Sequence, residues 1–259
     1  MRNSNTKVNI LNVLIDNVSM SEALTQLCDM VESDTFSLVV TPNVDHLMKI
    51  QNDSIFRGIY DAANLVVADG VPLLWASNIL GTPLKERING TDLFIKLCEV
   101  SAVKEYSIFL LGGNKGVAQK ACYELKIMFP DINIAGFYCP EFGFDKDTNE
   151  CHRIQEIILA SKADILFVGL GAPKQEKWIN FYGPGTNVKL AIGVGVSFSF
   201  ISGDLKRAPL WMQRGGLEWF WRLLFEPRRL WRRYIIEDMP FFWLIGKAWL
   251  RRYYRETNP

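Results

Sequence analysis

The stretch Asn64-Leu65-Val66-Val67-Ala68-Asp69-Gly70-Val71-Pro72 decides how the chain reads. Leu65 to Ala68 form a short apolar run, partly β-branched, which predicts a buried strand. An acid, Gly70 and Pro72 follow, so the strand ends in a tight turn before an apolar helix over residues 73–80. In α/β sheets, ligands bind in the crevice outside the carboxyl ends of the strands, which is where this carboxylate falls. Asp69 also reads as a plain helix N-cap. Other polar strand ends recur along the chain and favour a shared site.

On the amino-terminal side, residues 8–15 read as one strand. Ser19-Met20-Ser21-Glu22 fits a capping box that opens a helix to about Val31. Residues 36–40 read as a strand that ends in Thr41-Pro42-Asn43, and a helical run follows to about Tyr60. On the carboxyl side come a loop over residues 86–90, a helix over 92–101 and a strand over 108–111. Gly112-Gly113-Asn114 turns that strand into a helix over 117–128. Then follow a strand (132–138), a polar loop to Asn149, a helix (151–160) and a strand (165–168). Gly169-Leu170-Gly171-Ala172-Pro173-Lys174-Gln175-Glu176 opens the next helix, and residues 188–194 form a further strand. Strands alternating with helices predict an α/β fold, a mainly parallel sheet with helices on both faces.

The 259 residues are 49% hydrophobic, enough for a sizeable core in one large domain or one domain plus an appendage. Formal net charge is +1, but it is unevenly spread. From Asp204 onward there are 12 Lys and Arg against 6 Asp and Glu, which leaves 17 against 22 for the rest. Six of the eight tryptophans lie in the same segment. The division predicts an α/β domain over residues 1–203 and a basic, Trp-rich helical appendage over 204–259, with an acidic or interfacial partner of its own. The five cysteines have no paired spacing, and the polar start through Asn9 carries no signal-peptide pattern, so reduced thiols in a cytoplasmic protein are expected. Two histidines, His46 and His152, with no Cys-x-x-Cys argue against zinc.

Four strand ends carry polar or Gly-rich sequence: Thr41 to Asn43, Asp69-Gly70, Gly112 to Asn114 and Gly169 to Gln175. In a parallel sheet they share one edge. Gly turns at helix N-termini present backbone N–H groups to a phosphate. Gly169-x-Gly171 lacks the third glycine of the dinucleotide fingerprint, and Gly112-Gly113 is not a Walker loop. Asp145-Lys146-Asp147 has the Asp-x-Asp pattern of metal-dependent glycosyltransferases. It sits in the most polar loop and reads better as solvated, so no metal is expected. In the tail, Arg222, Arg229 and Arg232 are spaced seven and three and share a face on a continuous helix, which Pro227 interrupts or restarts. Arg forks suit diphosphate. Residues 239–250 are apolar and aromatic but too short to span a bilayer. They read as an interfacial helix with Trp243 and Trp249 at headgroup depth and Arg251, Arg252 and Arg255 facing anionic lipid, or as a helix that docks on the main domain. No nucleic-acid-binding fold is recognisable.

Taken together, Thr41-Pro42-Asn43, Val67-Ala68-Asp69-Gly70, Glu86-Arg87 with Gly90-x-Asp92-Leu93, Leu111-Gly112-Gly113, Gly169-x-Gly171-x-Pro173-Lys174-Gln175-Glu176, Gly193-Val194-Gly195, Gly203 and Arg207-Ala208-Pro209 resemble the WecG/TagA/CpsF glycosyltransferases. These bacterial enzymes serve teichoic acid, enterobacterial common antigen and exopolysaccharide synthesis. The resemblance covers nearly the whole chain. It implies a Rossmann-like domain with a helical C-terminal appendage that meets the membrane. It also implies metal-independent, inverting transfer of N-acetylmannosamine or its uronic acid from a UDP-sugar to a polyprenyl-diphosphate-linked saccharide. The expected place is the cytoplasmic face of the bacterial inner membrane. Residue by residue, Asp69 matches the general base and Arg87 a pocket arginine. Thr41, Asn43 and Gln175 match pocket residues, beside the glycines Gly112, Gly113, Gly169 and Gly171. Arg222, Arg229 and Arg232 match appendage arginines that meet diphosphate. No cofactor is expected, since the UDP-sugar is a substrate, nor is a nucleic-acid partner; homo-oligomerisation is left open. A nucleotide-binding oxidoreductase and a non-catalytic membrane scaffold are the alternatives from other classes. Nicotinamide binding would favour the first, and UDP release with a lipid acceptor would exclude the second.

Overall fold

A computed structural model describes residues 7–257, with side chains as far as Tyr254. The first residues of the polar start and the Arg255 side chain lie outside what is described. The chain opens with β1 (Lys7–Ile10) and β2 (Val13–Asp16), an antiparallel hairpin where one strand was expected. Leu11 and Asn12 turn the chain with φ of 51° and 66°, and Asn12 N–H donates to Asn9 Oδ1 at 2.9 Å. The turn contains no glycine, so the sequence gives no obvious sign of it.

The capping box at Ser19 starts α1 (Met20–Val31) as expected, with reciprocal bonds between Ser19 and Glu22. β3 (Ser37–Val40) leads into α2 (Val44–Ile50), which Asn43 caps. A second helix, α3 (Ser54–Ala62), has its own cap in Asp53, so the single helix expected to Tyr60 is two. Next come β4 (Leu65–Val66), α4 (Val71–Ile79), α5 (Gly90–Lys104), β5 (Ser107–Gly112), α6 (Val117–Met128) and β6 (Asn133–Tyr138). After a loop follow α7 (Thr148–Ser161), β7 (Ile165–Gly169), α8 (Lys174–Tyr182), β8 (Leu190–Gly193) and α9 (Ser197–Ile201). The remainder is helical: α10 (Leu210–Arg214), α11 (Glu218–Phe225), α12 (Pro227–Arg232), a π-helical turn (Arg233–Glu237) and α13 (Pro240–Thr257).

Six strands form one sheet in the order β4-β3-β8-β7-β5-β6, and every neighbouring pair is parallel. All carboxyl ends therefore share one edge. Side chains alternate across the sheet. Leu38, Val40, Leu166 and Val168 face a core closed by the hairpin and the helices α2, α3, α4, α7 and α8. Val39, Leu65, Ile165 and Phe167 face the opposite core under α1, α5, α6 and α9. Strands buried on both faces need continuous apolar sequence, which is what β3, β7 and β8 carry. Each fully buried Val, Leu or Ile adds about 1.5–3 kcal/mol.

α13 has two sides. Phe241 and Ile245 are buried in the first core, while Trp243 and Trp249 are exposed. One face of this helix thus docks on the main domain, and its opposite face carries exposed tryptophans. Removing it would uncover core. Among the described residues, no helix is long and apolar enough to cross a membrane.

Candidate active site

A cavity of about 780 Å³ lies over the carboxyl ends of β3, β4, β7 and β8, and the segment from Gly215 to Phe242 closes its other side. It brings together Thr41, Asn43, Asp69, Arg87, Gly171, Gln175, Arg222 and Arg229.

Asp69 lies three residues past β4. Its N–H donates to Pro42 O at 2.8 Å, which fixes the loop against the end of β3. The N-cap of α4 is Gly70, at φ 141°, so Asp69 is not the helix cap that the bland reading supposed. Its carboxylate instead accepts from Asn89 Nδ2 at 3.1 Å. Burial, assisted by the nearby Glu218 and Asp92 carboxylates, pushes Asp69 up to about 6, while Arg87 and the Gly90 N–H pull the other way. Arg87 is held by Gln213 O (3.4 Å) and Glu218 (3.8 Å).

Asn89, Arg207 and Glu218 were not singled out from the sequence as site residues. Asn89 Oδ1 caps α5 by accepting from Thr91 N–H (3.0 Å) and Asp92 N–H (3.3 Å), and it also accepts from Arg207 at 3.2 Å. Arg207 pairs in turn with Asp92 at 2.6 Å and Glu218 at 3.3 Å. The Arg207-Ala208-Pro209 block thus fastens the tail to the loop that faces Asp69. A cap signature at Asn89 was visible in the sequence; its second contact was not.

Gln175 is a staple. Its Oε1 accepts from the N–H groups of Gly171 and Gly195, both at 3.1 Å, and its Nε2 donates to Glu176 Oε1 at 2.8 Å. One amide therefore ties the loops after β7 and β8. A Cβ at Gly193 would lie 2.5 Å from that Nε2, so the close approach requires glycine there. Thr41 ties β3 to β8 through Gly193 O at 3.5 Å. Buried Glu176 is pushed up to about 7, and its Oε2 has no partner.

Gly112, Gly113 and Gly169 are not among the cavity-lining residues. Gly113 N–H donates to Gly169 O at 2.9 Å, and a Cβ at Gly112 would meet that same oxygen at 2.5 Å. These glycines let the β5 and β7 loops pack against each other, outside the cavity lining.

The arginines divide differently from the seven-and-three spacing. The helix breaks at Glu226 before Pro227. Arg222 (3.7 Å) and Arg229 (2.9 Å) both pair with Glu226 and line the cavity. Arg232 is 72% exposed, pairs with Glu237 and does not line it. Its neighbour Arg233, 24% exposed, turns inward toward Asn43 (3.4 Å), Asp45 (3.4 Å) and Asp238 (3.9 Å). Lys49 completes this wall, 2.7 Å from Asp45. Burial lifts Asp238 to about 7. His46, on the same side, is pushed down to about 3 by burial and bonds Tyr60 OH at 2.6 Å, so it stays neutral and cannot shuttle protons near pH 7.

Among the described residues, no group of three or more His, Cys, Asp and Glu is arranged to hold a metal. Asp145 pairs with Lys174 at 2.8 Å, and Asp147 caps α7 through Asn149 and Glu150 N–H. Both acids of the Asp-x-Asp have structural partners. What remains in the cavity is two perturbed carboxylates, Asp69 and Asp238, with Arg87, Arg222, Arg229 and Arg233 around them. That arrangement can accept a proton on one side and stabilise a polyanionic leaving group on the other.

The model of the WecG/TagA/CpsF glycosyl transferase family matches residues 8–255. A Bacillus spizizenii protein named N-acetylglucosaminyldiphosphoundecaprenol N-acetyl-beta-D-mannosaminyltransferase is 35% identical over 76% of this chain and 74% of its own length. A Staphylococcus aureus protein of the same name is 30% identical over 95% of each chain. The chain belongs to the WecG/TagA/CpsF family and is a glycosyltransferase.

Proposed function

We propose that this enzyme transfers N-acetylmannosamine, or its uronic acid, from UDP to a polyprenyl-diphosphate-linked N-acetylglucosamine. Transfer inverts the anomeric centre and needs no metal. The observation that carries this reading is Asp69, a carboxylate tuned to about 6, facing a cavity walled by Arg87, Arg222, Arg229 and Arg233. Asp69 takes the proton of the acceptor hydroxyl as its oxygen bonds to C1 of the donor sugar. The C1–O bond to UDP breaks on the opposite face, and UDP leaves with the bonding pair. The arginines stabilise the charge of the donor and acceptor diphosphates, as cationic forks do in a cavity of low dielectric. Thr41 and Gln175 hold the β3, β7 and β8 loops that shape the floor.

The acceptor is a membrane lipid, so the tail is assigned to the membrane surface, on the cytoplasmic side where nucleotide sugars are made. In support, the C-terminal segment exposes many large apolar side chains: Trp243 and Trp249 of α13, Leu224 and Phe225 of α11, and Ile235 and Ile236 of the π-helical turn. Apolar contact of this kind and basic attraction to anionic lipid act together. The test is UDP release from a panel of UDP-sugars with a short-chain lipid-diphosphate N-acetylglucosamine, with and without chelator. Release only when N-acetylmannosamine-type donors and the acceptor are both present is expected. Acceptor-independent hydrolysis, or a strict need for added Mg²⁺ or Mn²⁺, overturns the reading.

A further inference from the structure

We propose that Asn89 is the positioning residue of Asp69 and that it is held in place by Arg207, so that the start of the C-terminal segment sets the aim of the base. This inference rests on the assignment of Asp69 as the base. Asn89 uses both ends of its amide. Nδ2 donates to Asp69 Oδ1, while Oδ1 is pinned by two N–H groups at the head of α5 and by the Arg207 guanidinium. The amide therefore cannot flip without losing four bonds at once. Asn89 engages Oδ1 of Asp69, and Oδ2, with no side-chain donor on it, lies beside Gly90. A methyl group at Gly90 would lie 3.4 Å from that Oδ2 and 3.4 Å from Thr41 Oγ1, so the missing side chain keeps the space beside the atom open.

The Gly90 N–H also favours the charged carboxylate, and Asn89 is the side chain that bonds it. Arg87 is drawn toward Gln213 O and Glu218, and no bond joins it to Asp69. The charged groups that face Asp69 are Arg87 from the loop before α5, Asp92 from α5 and Glu218 from α11. Arg207 lies behind, bound to the last two. Two of the three facing groups are acids. The Asn89 donor therefore also opposes their tendency to keep Asp69 protonated, because a hydrogen bond to the charged form favours it. Glu218 opens α11, so the segment that closes the cavity and the partner of the base are joined through one arginine.

The test compares Asn89→Asp, Asn89→Ser and Asp69→Asn in the full chain, reading kcat and KM for donor and acceptor from pH 5 to 9. Aspartate and serine both keep a cap for α5. Neither offers Asp69 the amide donor, and aspartate adds a like charge. Both variants should keep KM within about threefold while kcat falls roughly tenfold to a hundredfold, the scale of a misaimed catalytic group. In Asn89→Asp the acid limb of the kcat profile should move up by at least about one pH unit. A bare helix cap predicts neither change. Unaltered kcat and acid limb in a folded Asn89→Asp or Asn89→Ser, with Asp69→Asn inactive, overturn the positioning role and leave the base in place. Full turnover in Asp69→Asn overturns both.

Discussion

Asp69→Asn should separate catalysis from stability, with opposite signs. Burial raises the Asp69 carboxyl from an ordinary value near 3.8 to about 6. The native state therefore holds this proton more tightly than the unfolded chain does. Its contribution to stability is complete below pH 3.8 and is lost as pH rises from there through 6. Roughly two pH units at about 1.4 kcal/mol each give ~3 kcal/mol as the ceiling of the cost above pH 7. Solvent in the cavity reduces this, so about 1–3 kcal/mol is expected. The amide carries no charge to desolvate, and its carbonyl still accepts from Asn89 Nδ2. Asp69→Asn should accordingly be more stable than the parent at neutral pH, with the gap widening by about 1 kcal/mol between pH 5 and pH 8. Turnover should fall by roughly 10²–10⁴. Urea unfolding followed by tryptophan fluorescence at the two pH values gives the first quantity, and UDP release the second. A variant less stable than the parent at pH 8 would show that the carboxylate is better solvated than its burial implies. Near-normal turnover would remove Asp69 from the role of base.

Three further outcomes follow from particular contacts. Arg233→Gln should lower kcat/KM at least about tenfold, since it takes a fork from the cavity wall, whereas Arg232→Gln should stay within about twofold because its ion pair with Glu237 is exposed; reversal of that order in steady-state kinetics would assign the diphosphate contact to Arg232 instead. Asp145→Ala with Asp147→Ala should cost about 1 kcal/mol from the lost α7 cap and leave activity intact in EDTA; metal-rescuable loss of activity would return the Asp-x-Asp to the chemistry. Trp243→Ser with Trp249→Ser should weaken sedimentation with anionic vesicles without moving the unfolding midpoint, whereas Phe241→Ala should cost about 3–5 kcal/mol; unchanged vesicle binding in the double variant would remove α13 from the membrane contact.

The architecture was legible where sequence pattern and local geometry agree. Apolar runs marked β3, β5, β7 and β8, and Ser19 with Glu22 marked the start of α1. Legibility failed at breaks made without Gly or Pro: the Leu11-Asn12 turn of the hairpin, and the interruption before Asp53, where a cap restarts a helix within an apparently continuous pattern. In the cavity, polar strand ends pointed to Thr41, Asn43 and Asp69, because a parallel sheet gathers its carboxyl ends on one edge. The glycines were harder. Gly171 lines the cavity, whereas Gly112 and Gly169 serve the packing of adjacent loops, and the two roles look alike in sequence. Asn89, Arg207 and Glu218 meet across more than a hundred residues, so only the fold brings them together. Arg233 was hidden by its neighbour, because the break at Glu226 removes the helical register from Arg222 that could tell two consecutive arginines apart.

The central claim is transfer from a UDP-sugar to a lipid-linked acceptor with Asp69 as the base. Its most direct test is a single-turnover reaction of the full chain with UDP-N-acetylmannosamine and a short-chain lipid-diphosphate N-acetylglucosamine, run in EDTA with wild type and Asp69→Asn in parallel. The wild type should give a β-linked lipid disaccharide and one UDP per product, and Asp69→Asn bound donor without product. A product that keeps the donor's anomeric configuration, or equal product from both proteins, would contradict the claim.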